Sequence, residues 1–462
     1  MFSRRPGFRF NRGRISAQSG GGILPLGDSI TVGLGSSSPW HFLVDAISSG
    51  AGQVFPRTVG EDIKSTSHHH GATGAEIAEI EQNWSTGGAR GIVRSGQSYS
   101  PRGVVSMFGT NDVDEATPAA MLIDADSLLD AVFADRPTMP HFVMSIPHRI
   151  DDPEGTPVDW QTECEAYNYT ESGGGLKALV EAIGNGYWVD IYPCLVQPDD
   201  FHTDGVHPNT DGYTRIARMV YRCVAEYNGL GLWNPLRASV QPAFYATLGG
   251  HKSYSATSVT NRGSLGGTFS NGSAPLVQTA NTWEGDGTAK SLDSSLAASA
   301  WRFLHEGPVT LAGWGHVDVA GTFMATGGTA AGASGLWIRT TGGIMQVRMA
   351  NATTTAIVAP GSTPSWIDAP QSFIWRFDPG RSPSGSLYIS GTEYYSDSPS
   401  ITPFAGDPEG TLRLGRRVSG GDYVDGKLGG LVAYNSWLSG DDFTNLDAFV
   451  QLAADAMPGS AV

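Results

Sequence analysis

The first residue that could do chemistry is Ser29, which follows a short apolar run. Residues 23–26 are typical of a buried strand, and Gly27-Asp28-Ser29 predicts a tight turn at its end. A serine there stands at the carboxyl edge of a sheet, where open α/β sheets bind their ligands. Ser29 is therefore the candidate nucleophile, provided that a base lies nearby. Taken alone, Gly-Asp-Ser is more typical of an ordinary polar turn than of a nucleophile.

Asp204 and His207 could supply and orient that base. A serine hydroxyl is a weak nucleophile until a neighbouring group removes its proton. With two residues between the pair, a turn lets the Asp204 carboxylate accept from His207 Nδ1–H, which leaves Nε2 facing a serine. A polar capping loop is the alternative interpretation of this pair. His202 is a rival base, although a solvated loop histidine is the simpler interpretation of it.

Three groups could donate hydrogen bonds to the negative charge that develops during acyl transfer. They are the Ser29 backbone N–H, the Gly74 backbone N–H and the Asn111 side-chain amide. Gly74 has no Cβ, so its backbone can approach a ligand closely, and Asn111 offers a neutral donor at a strand's end. Gly71 lies in a similar loop and is the alternative to Gly74. Gly74 and Asn111, each taken alone, are more typical of an ordinary turn than of a functional site.

Alternating strands and helices over residues 20–228 would position these groups. Apolar runs at 23–26, 103–109, 141–146 and 187–192 predict strands, and apolar spacing predicts helices at 40–47, 121–133, 160–183 and 210–224. The third helix contains a glycine run at 173–175 that could interrupt it. The alternation predicts an α/β fold with a parallel, doubly wound sheet. We interpret His68, His69 and His70 as loop residues, because neighbours along a chain rarely bind one metal ion together.

Four short blocks around the candidate residues resemble those of SGNH (GDSL-like) hydrolases. In the family's order they are Gly27-Asp28-Ser29-Ile30, Gly74 within Gly-Ala-Thr-Gly, Gly109-Thr110-Asn111-Asp112 and Asp204-Gly205-Val206-His207-Pro208. The resemblance covers about the first half of the chain, and the combination of four blocks is specific. It implies a flavodoxin-like three-layer fold and ester hydrolysis through a covalent acyl-enzyme, with no cofactor.

The resemblance also implies a role for each matched residue. Ser29 would be the nucleophile, His207 the base and then the acid, and Asp204 its orienting group. Ser29, Gly74 and Asn111 would form the oxyanion hole. Thr31 stands where a Gly-x-Ser-x-Gly motif would have its second glycine, which counts against the α/β-hydrolase fold.

The second half has a different pattern. Short β-rich runs at 309–314, 335–340, 373–377, 386–390, 411–414 and 431–434 are separated by Gly, Ser, Asn and Asp clusters, which predicts an antiparallel β-sandwich. Residues 426–443 resemble the closing strand and short helix of laminin-G-like, concanavalin A-like sandwiches. That resemblance implies carbohydrate binding, but no calcium-ligand set can be matched, so we expect no metal.

Aromatic side chains in this half have two interpretations. Tryptophans in sandwich strands could stack on sugar rings, but large aromatics in such strands are more often part of the core. The core interpretation is the favoured one for most of the five candidates, Trp301, Trp314, Trp337, Trp366 and Trp375.

Composition limits the partners and the domain organisation. The chain of 462 residues carries 29 basic and 45 acidic side chains, a net charge of −16, which makes nucleic acid an unsuitable partner. No run is long and apolar enough to predict a membrane span. We predict a basic flexible arm at 1–20, a catalytic domain at 21–230, a linker at 231–240 and a sandwich at 241–462.

The compartment stays open at this stage. No signal peptide is recognised, because no apolar segment follows the arginines of the arm. Attachment of the arm to a larger assembly, in an extracellular or virion-associated setting, is one interpretation, and an unstructured tail is the other. Cys164, Cys194 and Cys223 are an odd number, so a single disulfide or three small buried side chains are both compatible with the sequence.

The sequence thus predicts a serine esterase that acts on short-chain acyl esters, with an O-acetylated polysaccharide or glycan as the favoured substrate. A lipase or thioesterase would use the same residues, so the fold alone does not choose between them. An alternative from another class is a glycan-binding or virion-associated receptor-binding protein whose first domain is a scaffold.

Overall fold

The computed structural model describes most of the chain. The described residues are 22–50, 62–64, 67–71, 73–86, 101–151, 156–227, 232–248, 258–271, 277–279, 281–327, 333–351, 355–367, 369–399, 405–419 and 421–459. The basic arm predicted for residues 1–20 lies outside these ranges.

A six-stranded sheet organises the first half. The strands of this half are β1 (Ile23–Gly27), β2 (Asp62–Lys64), β3 (Ser67–Gly71), β4 (Gly103–Met107), β5 (His141–Met144), β6 (Ile150–Asp151), β7 (Val158–Asp159) and β8 (Gly186–Val189). The sheet order is β2-β3-β1-β4-β5-β8, while β6 and β7 form a separate ribbon. Every neighbouring pair in the sheet is parallel except β2 with β3. The predicted parallel α/β sheet is therefore confirmed, and its central strands are buried as their apolar runs indicate.

One prediction about this sheet is wrong. His68, His69 and His70 belong to strand β3 and not to a loop. Strand pairing is made by backbone groups, and β3 pairs with β1 on one side and with β2 on the other. The segment has no apolar run, so periodicity gave no sign of it.

Helices connect these strands. They are α1 (Ser29–Val32), α2 (Trp40–Gly50), α3 (Ile77–Thr86), α4 (Pro118–Asp135), α5 (Gln161–Glu165), α6 (Gly175–Ala182) and α7 (Thr210–Tyr227). Between α5 and α6 the chain forms a π-helical turn, Ala166–Thr170, and a 3₁₀ turn, Glu171–Gly173, so the helix expected over 160–183 is interrupted at its glycines. Helix α7 is capped by Asn209, whose Oδ1 accepts from the N–H groups of Asp211 and Gly212.

The second half is made of antiparallel strands. They are β9 (Phe244–Thr247), β10 (Ser258–Thr260), β11 (Thr268–Asn271), β12 (Val277–Thr279), β13 (Thr282–Asp286), β14 (Leu292–Ser294), β15 (Val309–Val319), β16 (Thr322–Ala325), β17 (Gly335–Thr341), β18 (Ile344–Ala350), β19 (Thr355–Val358), β20 (Gln371–Phe377), β21 (Gly385–Ile389), β22 (Thr392–Asp397), β23 (Arg413–Leu414) and β24 (Asp425–Tyr434), with helices α8 (Phe303–Glu306) and α9 (Gly440–Asp455). One sheet has the order β10-β11-β14-β23-β16-β17-β18-β19, and the other β12-β13-β24-β15-β20-β21-β22 with β9 beside β24.

Strand alternation divides the second half into an inner and an outer layer. In β20, Phe373, Trp375 and Phe377 belong to the core between the two sheets. Ile374, between them, belongs to a second core that is continuous with the first half and includes residues of α9. The period of two thus places successive side chains on opposite faces. All five candidate tryptophans are at most 3% exposed. Four of them, Trp301, Trp314, Trp366 and Trp375, belong to the two cores, as the core interpretation predicts. Trp337 belongs to neither core and packs against Arg339, whose guanidinium lies 4.3 Å from its ring centroid.

The two halves pack against each other directly. Arg222 of α7 forms a fully buried ion pair with Glu226 at 3.1 Å and donates to the Asn281 carbonyl at 2.6 Å. The Asn281 side chain accepts from Asp190 N–H at 2.9 Å. Leu232, within the segment predicted as a linker, is fully buried. A hydrogen-bonded and apolar contact therefore joins the second half to helix α7.

Candidate active site

Ser29 begins helix α1 two residues after strand β1 ends at Gly27. A Cβ at Gly27 would collide with the Met107 carbonyl oxygen of β4, and φ there is +155°, so the turn requires glycine. Asp28 then caps the helix, because its Oδ1 accepts from Ile30 N–H at 3.0 Å. Ser29 is 3% exposed and lies at a helix start, where backbone N–H groups have no partner within the helix.

Ser29, His207 and Asp204 form one chain of contacts. His207 Nε2 lies 2.9 Å from Ser29 Oγ, and His207 Nδ1 lies 2.9 Å from Asp204 Oδ2. Both distances are within hydrogen-bond reach. A serine hydroxyl, an imidazole and a carboxylate are thus aligned in the order that nucleophilic serine catalysis uses.

The loop that contains Asp204 and His207 is held by hydrogen bonds within the loop and to neighbouring segments. Asp204 Oδ1 accepts from the N–H groups of Val206 and His207, each at 3.0 Å. The Gly205 carbonyl accepts from Gln197 Nε2 at 2.7 Å and from Ile150 N–H at 3.1 Å. These contacts fix the direction in which His207 points.

The charge of Asp204 is stabilised at its position. Partial burial works to raise the pKa of Asp204, but the hydrogen bonds from the His207 backbone, the His207 ring and the Val206 backbone outweigh it. The pKa of Asp204 therefore lies below its ordinary value. A carboxylate that stays ionised can stabilise the imidazolium that forms when His207 takes a proton.

Of the two candidate bases, His202 and His207, the structure places His207 beside Ser29. The His202 ring contacts the Gly35 carbonyl, and the ring beside Ser29 is that of His207. His202 is partly buried, so it is an anchored side chain instead of the solvated one that the sequence suggested.

The candidate oxyanion donors lie in two neighbouring turns. Gly74 occupies the turn before helix α3, with φ at +71° and an exposed backbone, whereas Gly71 is paired in strand β3 with Gly27. The Asn111 amide Nδ2 donates to the Ala75 carbonyl at 3.0 Å. This bond sets the orientation of the amide and joins the Asn111 turn to the residue that follows Gly74, while the second N–H of Nδ2 stays available.

Asp112 makes a second link between the same two turns. Ile77 N–H, at the start of helix α3, donates to both carboxylate oxygens of Asp112 at 3.2 and 3.3 Å. The carboxylate therefore caps this helix from another loop, where a negative charge is favourable. Asn111 and Asp112 together hold the segment from Gly74 to Ile77, and no sequence rule pointed to this role of Asp112.

Two buried carboxyl groups lie beneath the site. Burial raises the pKa of Asp28 to about 6, although the Ile30 N–H, the neighbouring Thr110 and the charge of His207 act in the opposite direction. Burial also raises the pKa of Asp112 to about 7, against the hydrogen bond from Ile77 and with the help of the negative charges of Glu76 and Asp28. Both groups therefore change charge between about pH 6 and pH 7.

Arg149 is a further residue at the site that the sequence analysis missed. It is 9% exposed and donates to the Thr110 carbonyl at 2.6 Å. Its guanidinium also binds the carboxylates of Asp114 at 2.9 Å and Asp151 at 2.5 Å. Arg149 thus ties the turn that contains Asn111 to the segment after β5. The one available signal was its place just after a buried strand.

Other sequence predictions concern groups outside the site. Cys164, Cys194 and Cys223 are all buried and form no disulfide, in agreement with three small core side chains. Within the described ranges, no group of three His, Cys, Asp or Glu residues could hold a metal ion. No helix in the described part of the chain is both long and apolar enough to cross a membrane.

Comparison with known proteins agrees with the four sequence blocks. Residues 26–215 match the GDSL-like Lipase/Acylhydrolase family, which confirms the resemblance noted from the sequence. A multidomain esterase of Ruminococcus flavefaciens is 26% identical over 222 residues, or 42% of this chain and 27% of that protein. The chain therefore spans about a quarter of the length of that relative.

Two solved structures are also similar to this chain. A family 3 carbohydrate esterase of Clostridium thermocellum is 22% identical, with a TM-score of 0.35 over 44% of this chain and 94% of that one. A carbohydrate esterase family 3 protein from Talaromyces cellulolyticus is 23% identical, with a TM-score of 0.34 over 44% of this chain and 96% of that one.

Proposed function

We propose that this protein, whose residues 26–215 match the GDSL-like Lipase/Acylhydrolase family, is a serine esterase that removes short acyl groups, acetyl above all, from carbohydrate. The observation that carries the proposal is the chain of contacts from Ser29 Oγ through His207 to Asp204. A polar surface loop would not need a buried serine hydroxyl aligned with an imidazole and a carboxylate. The name of the multidomain esterase relative supports the same reaction class.

The proposed reaction has two halves. Ser29 Oγ attacks the ester carbonyl carbon while His207 Nε2 takes its proton, and the negative charge moves to the carbonyl oxygen. Collapse of this intermediate breaks the bond to the sugar oxygen, which takes the proton from His207 and leaves as an alcohol. Water then attacks the acyl-enzyme with His207 again as base, which releases the carboxylic acid and restores Ser29.

The remaining candidate residues would stabilise the negative charge on the carbonyl oxygen in this reaction. The N–H groups of Ser29 and Gly74 and the free N–H of the Asn111 amide would donate to the oxyanion. Loss of one such donor typically lowers kcat by about 10²- to 10³-fold. Asp204 stays ionised and keeps the His207 tautomer that presents Nε2 to the serine.

Charge near the Gly74 turn favours an uncharged substrate. The pKa of Glu76 is raised, above all because Glu115 lies nearby, and Glu79 and Asp114 add to the effect. A cluster of negative charges two residues from Gly74 would repel a polyanionic chain. We therefore propose a neutral O-acetylated carbohydrate as the substrate, in preference to an acetylated polyuronide.

The test is ester hydrolysis by the full chain and by Ser29→Ala. We would measure release of nitrophenol from p-nitrophenyl acetate and longer acyl esters, and release of acetate from acetylated xylan and acetylated pectin. The proposal predicts activity that is highest for acetate, faster on xylan than on pectin, and lost in Ser29→Ala.

Other results would change the assignment. A preference for long acyl chains would indicate a lipase. Equal, background hydrolysis by wild type and Ser29→Ala on every ester would overturn the esterase proposal and leave glycan binding as the remaining function.

A further inference from the structure

A cleft of about 310 Å³ opens on the second half of the protein, among the strands β20, β21 and β22. Its lining includes the charged residues Arg376, Arg381 and Glu393, with Ser386, Ser396 and Trp437 beside them. None of these residues belongs to the candidate active site. Nothing in the proposed esterase reaction uses them.

Strand register explains how the cleft forms. Arg376 of β20 lies opposite Ser386 of β21, which in turn lies opposite Ser396 of β22. These three residues therefore form one row across three strands, on the same face of the sheet. Phe377, the next residue after Arg376, belongs to the core between the sheets, so the row lies on the outer face. The alternation of side chains along β20 therefore turns Arg376 away from the core between the sheets and toward the cleft.

Arg376 is a buried cation at the wall of the cleft. It is 8% exposed, and its guanidinium lies 3.9 Å from the Phe443 ring centroid and 4.4 Å from that of Trp437. Its Nε donates to Ser386 Oγ at 3.0 Å, Nη1 to the Leu438 carbonyl at 3.2 Å and Nη2 to the Tyr388 hydroxyl at 3.1 Å. A guanidinium has five N–H donors, so one remains on each terminal nitrogen.

The hydrogen-bond partners of this cation are all uncharged. Among the described residues, no carboxylate lies within ion-pair distance of Arg376. A buried charge without a direct counter-ion is costly, and burial accordingly lowers the pKa of Arg376. The aromatic rings offset part of this cost. An anion in the cleft would offset more of it.

The other charges around Arg376 leave room for such an anion. Arg381 is half exposed, binds Asp378 at 3.0 Å and lies 5.1 Å from the Trp437 ring centroid. Burial and a side-chain hydrogen bond with Glu393 raise the pKa of the Tyr388 hydroxyl. The same hydroxyl accepts from Arg376. Asp447, on helix α9, interacts electrostatically with the Arg376 guanidinium, and burial raises the pKa of this carboxyl group. Both carboxylates are near the cation without pairing with it.

We infer that the cleft binds a saccharide that carries a carboxylate, such as a uronic acid unit. The carboxylate meets the planar guanidinium of Arg376, with Arg381 beside it, because two parallel N–H donors match two carboxylate oxygens. The sugar hydroxyls meet the exposed side chains of Glu393 and Ser396, which a simple inorganic anion could not use. This site differs in charge from the proposed active site, whose acidic surroundings disfavour polyanions, and it does not depend on the esterase reaction.

The test is direct binding to the full chain. We would titrate the protein with sodium D-glucuronate by isothermal calorimetry, with D-glucose as the uncharged sugar and sodium acetate as the anion without a sugar. We expect binding of glucuronate, and at least about tenfold weaker binding of glucose and of acetate, since each lacks one half of the recognition.

Three variants locate the binding. Arg381→Gln removes an exposed charge at the cleft and should weaken glucuronate binding about tenfold or more. Arg376→Lys keeps a charge but removes the planar fork, and should have a similar effect. Arg302→Gln is the matched control, because Arg302 is a half-exposed arginine paired with an aspartate, Asp407, outside the cleft lining, and it should bind as wild type does.

Each other result overturns the inference. Undetectable glucuronate binding by wild type would do so, as would equal binding of glucose or of acetate. Glucuronate affinity that is unchanged in both Arg381→Gln and Arg376→Lys would also overturn it. Ester hydrolysis, measured in the same preparations, should be unchanged in Arg381→Gln, so a failed esterase proposal and a failed binding site are separate outcomes.

Discussion

Replacement of Asp112 tests whether the turn that carries Gly74 must be held in place. Asp112→Ala removes the carboxylate that accepts from Ile77 N–H at 3.2 and 3.3 Å. Ile77 is fully buried, so its N–H would be left without a partner. Asp112 need not touch substrate for this change to matter, because it acts on the segment between Gly74 and helix α3.

The contacts set the size of the effect. A buried donor left unsatisfied costs about 1–3 kcal/mol, which corresponds to about a 5- to 150-fold fall in kcat if the whole amount is lost from the transition state. We expect KM to change less than kcat, because the oxyanion forms only during the reaction. Asp112→Asn should stay within about threefold of wild type, since an amide oxygen can still accept from Ile77 N–H. Burial raises the pKa of Asp112 to about 7, so the neutral form is already populated near neutral pH.

The assay is steady-state hydrolysis of p-nitrophenyl acetate together with thermal unfolding. Thr117→Ala is the matched control, because Thr117 caps helix α4 of the same half by accepting from Ala120 N–H at 3.3 Å. It should lower the melting temperature without changing kcat. The reasoning is refuted if Asp112→Ala also lowers only the melting temperature, or if it raises KM at constant kcat.

Three further predictions follow from other contacts. Asn111→Ala should lower kcat about 10²- to 10³-fold with little change in KM, measured on the same ester; unchanged kcat would remove the amide from the mechanism. His141 is buried beside Ser106, and burial lowers its pKa to about 3. As the pH falls, this histidine is therefore protonated in the unfolded chain before it is protonated in the folded one. The free energy of unfolding should fall between about pH 6.5 and pH 3, by at most about 1.4 kcal/mol per pH unit. In His141→Gln, urea unfolding at several pH values should show a shallower fall; an equal slope would contradict this. Glu226→Leu leaves buried Arg222 without its 3.1 Å ion pair and should cost about 3–5 kcal/mol of unfolding free energy. A loss below about 1 kcal/mol would mean that this pair within helix α7 contributes little to stability.

Local sequence patterns were enough to predict most of the first half. The buried strands have apolar runs, and helix α7 has an apolar face in which Tyr213, Ile216 and Val220 are all fully buried. Strand β3 escaped this method because Ser67–Gly71 is polar and pairs through its backbone. Helix α3 was also missed, since part of its stabilisation comes from the distant carboxylate of Asp112.

The candidate site also contains residues that the sequence predicted and residues that it did not. Ser29, Asp204 and His207 lie in short blocks whose residue types suggest their chemistry, and the fold brings those blocks within 2.9 Å of each other. The contacts of Arg149 with Thr110 and Asp114, and the contact of Asp112 with Ile77, join residues that are 35 or more positions apart. No local spacing encodes such contacts, so they emerge only from the fold. The buried state of Arg376 and the row of residues beside it were hidden for the same reason, because strand register decides them.

Trapping of the acyl-enzyme tests the central claim most directly. Wild type would be mixed with p-nitrophenyl acetate, quenched in acid within its first turnovers and analysed by peptide mass spectrometry. We predict an acetyl group on Ser29, a burst of nitrophenol, and neither of these in Ser29→Ala, with turnover lowered roughly 10⁴-fold or more in that variant. An acetyl group on any other residue, or full turnover by Ser29→Ala, would contradict the assignment of Ser29 as the nucleophile.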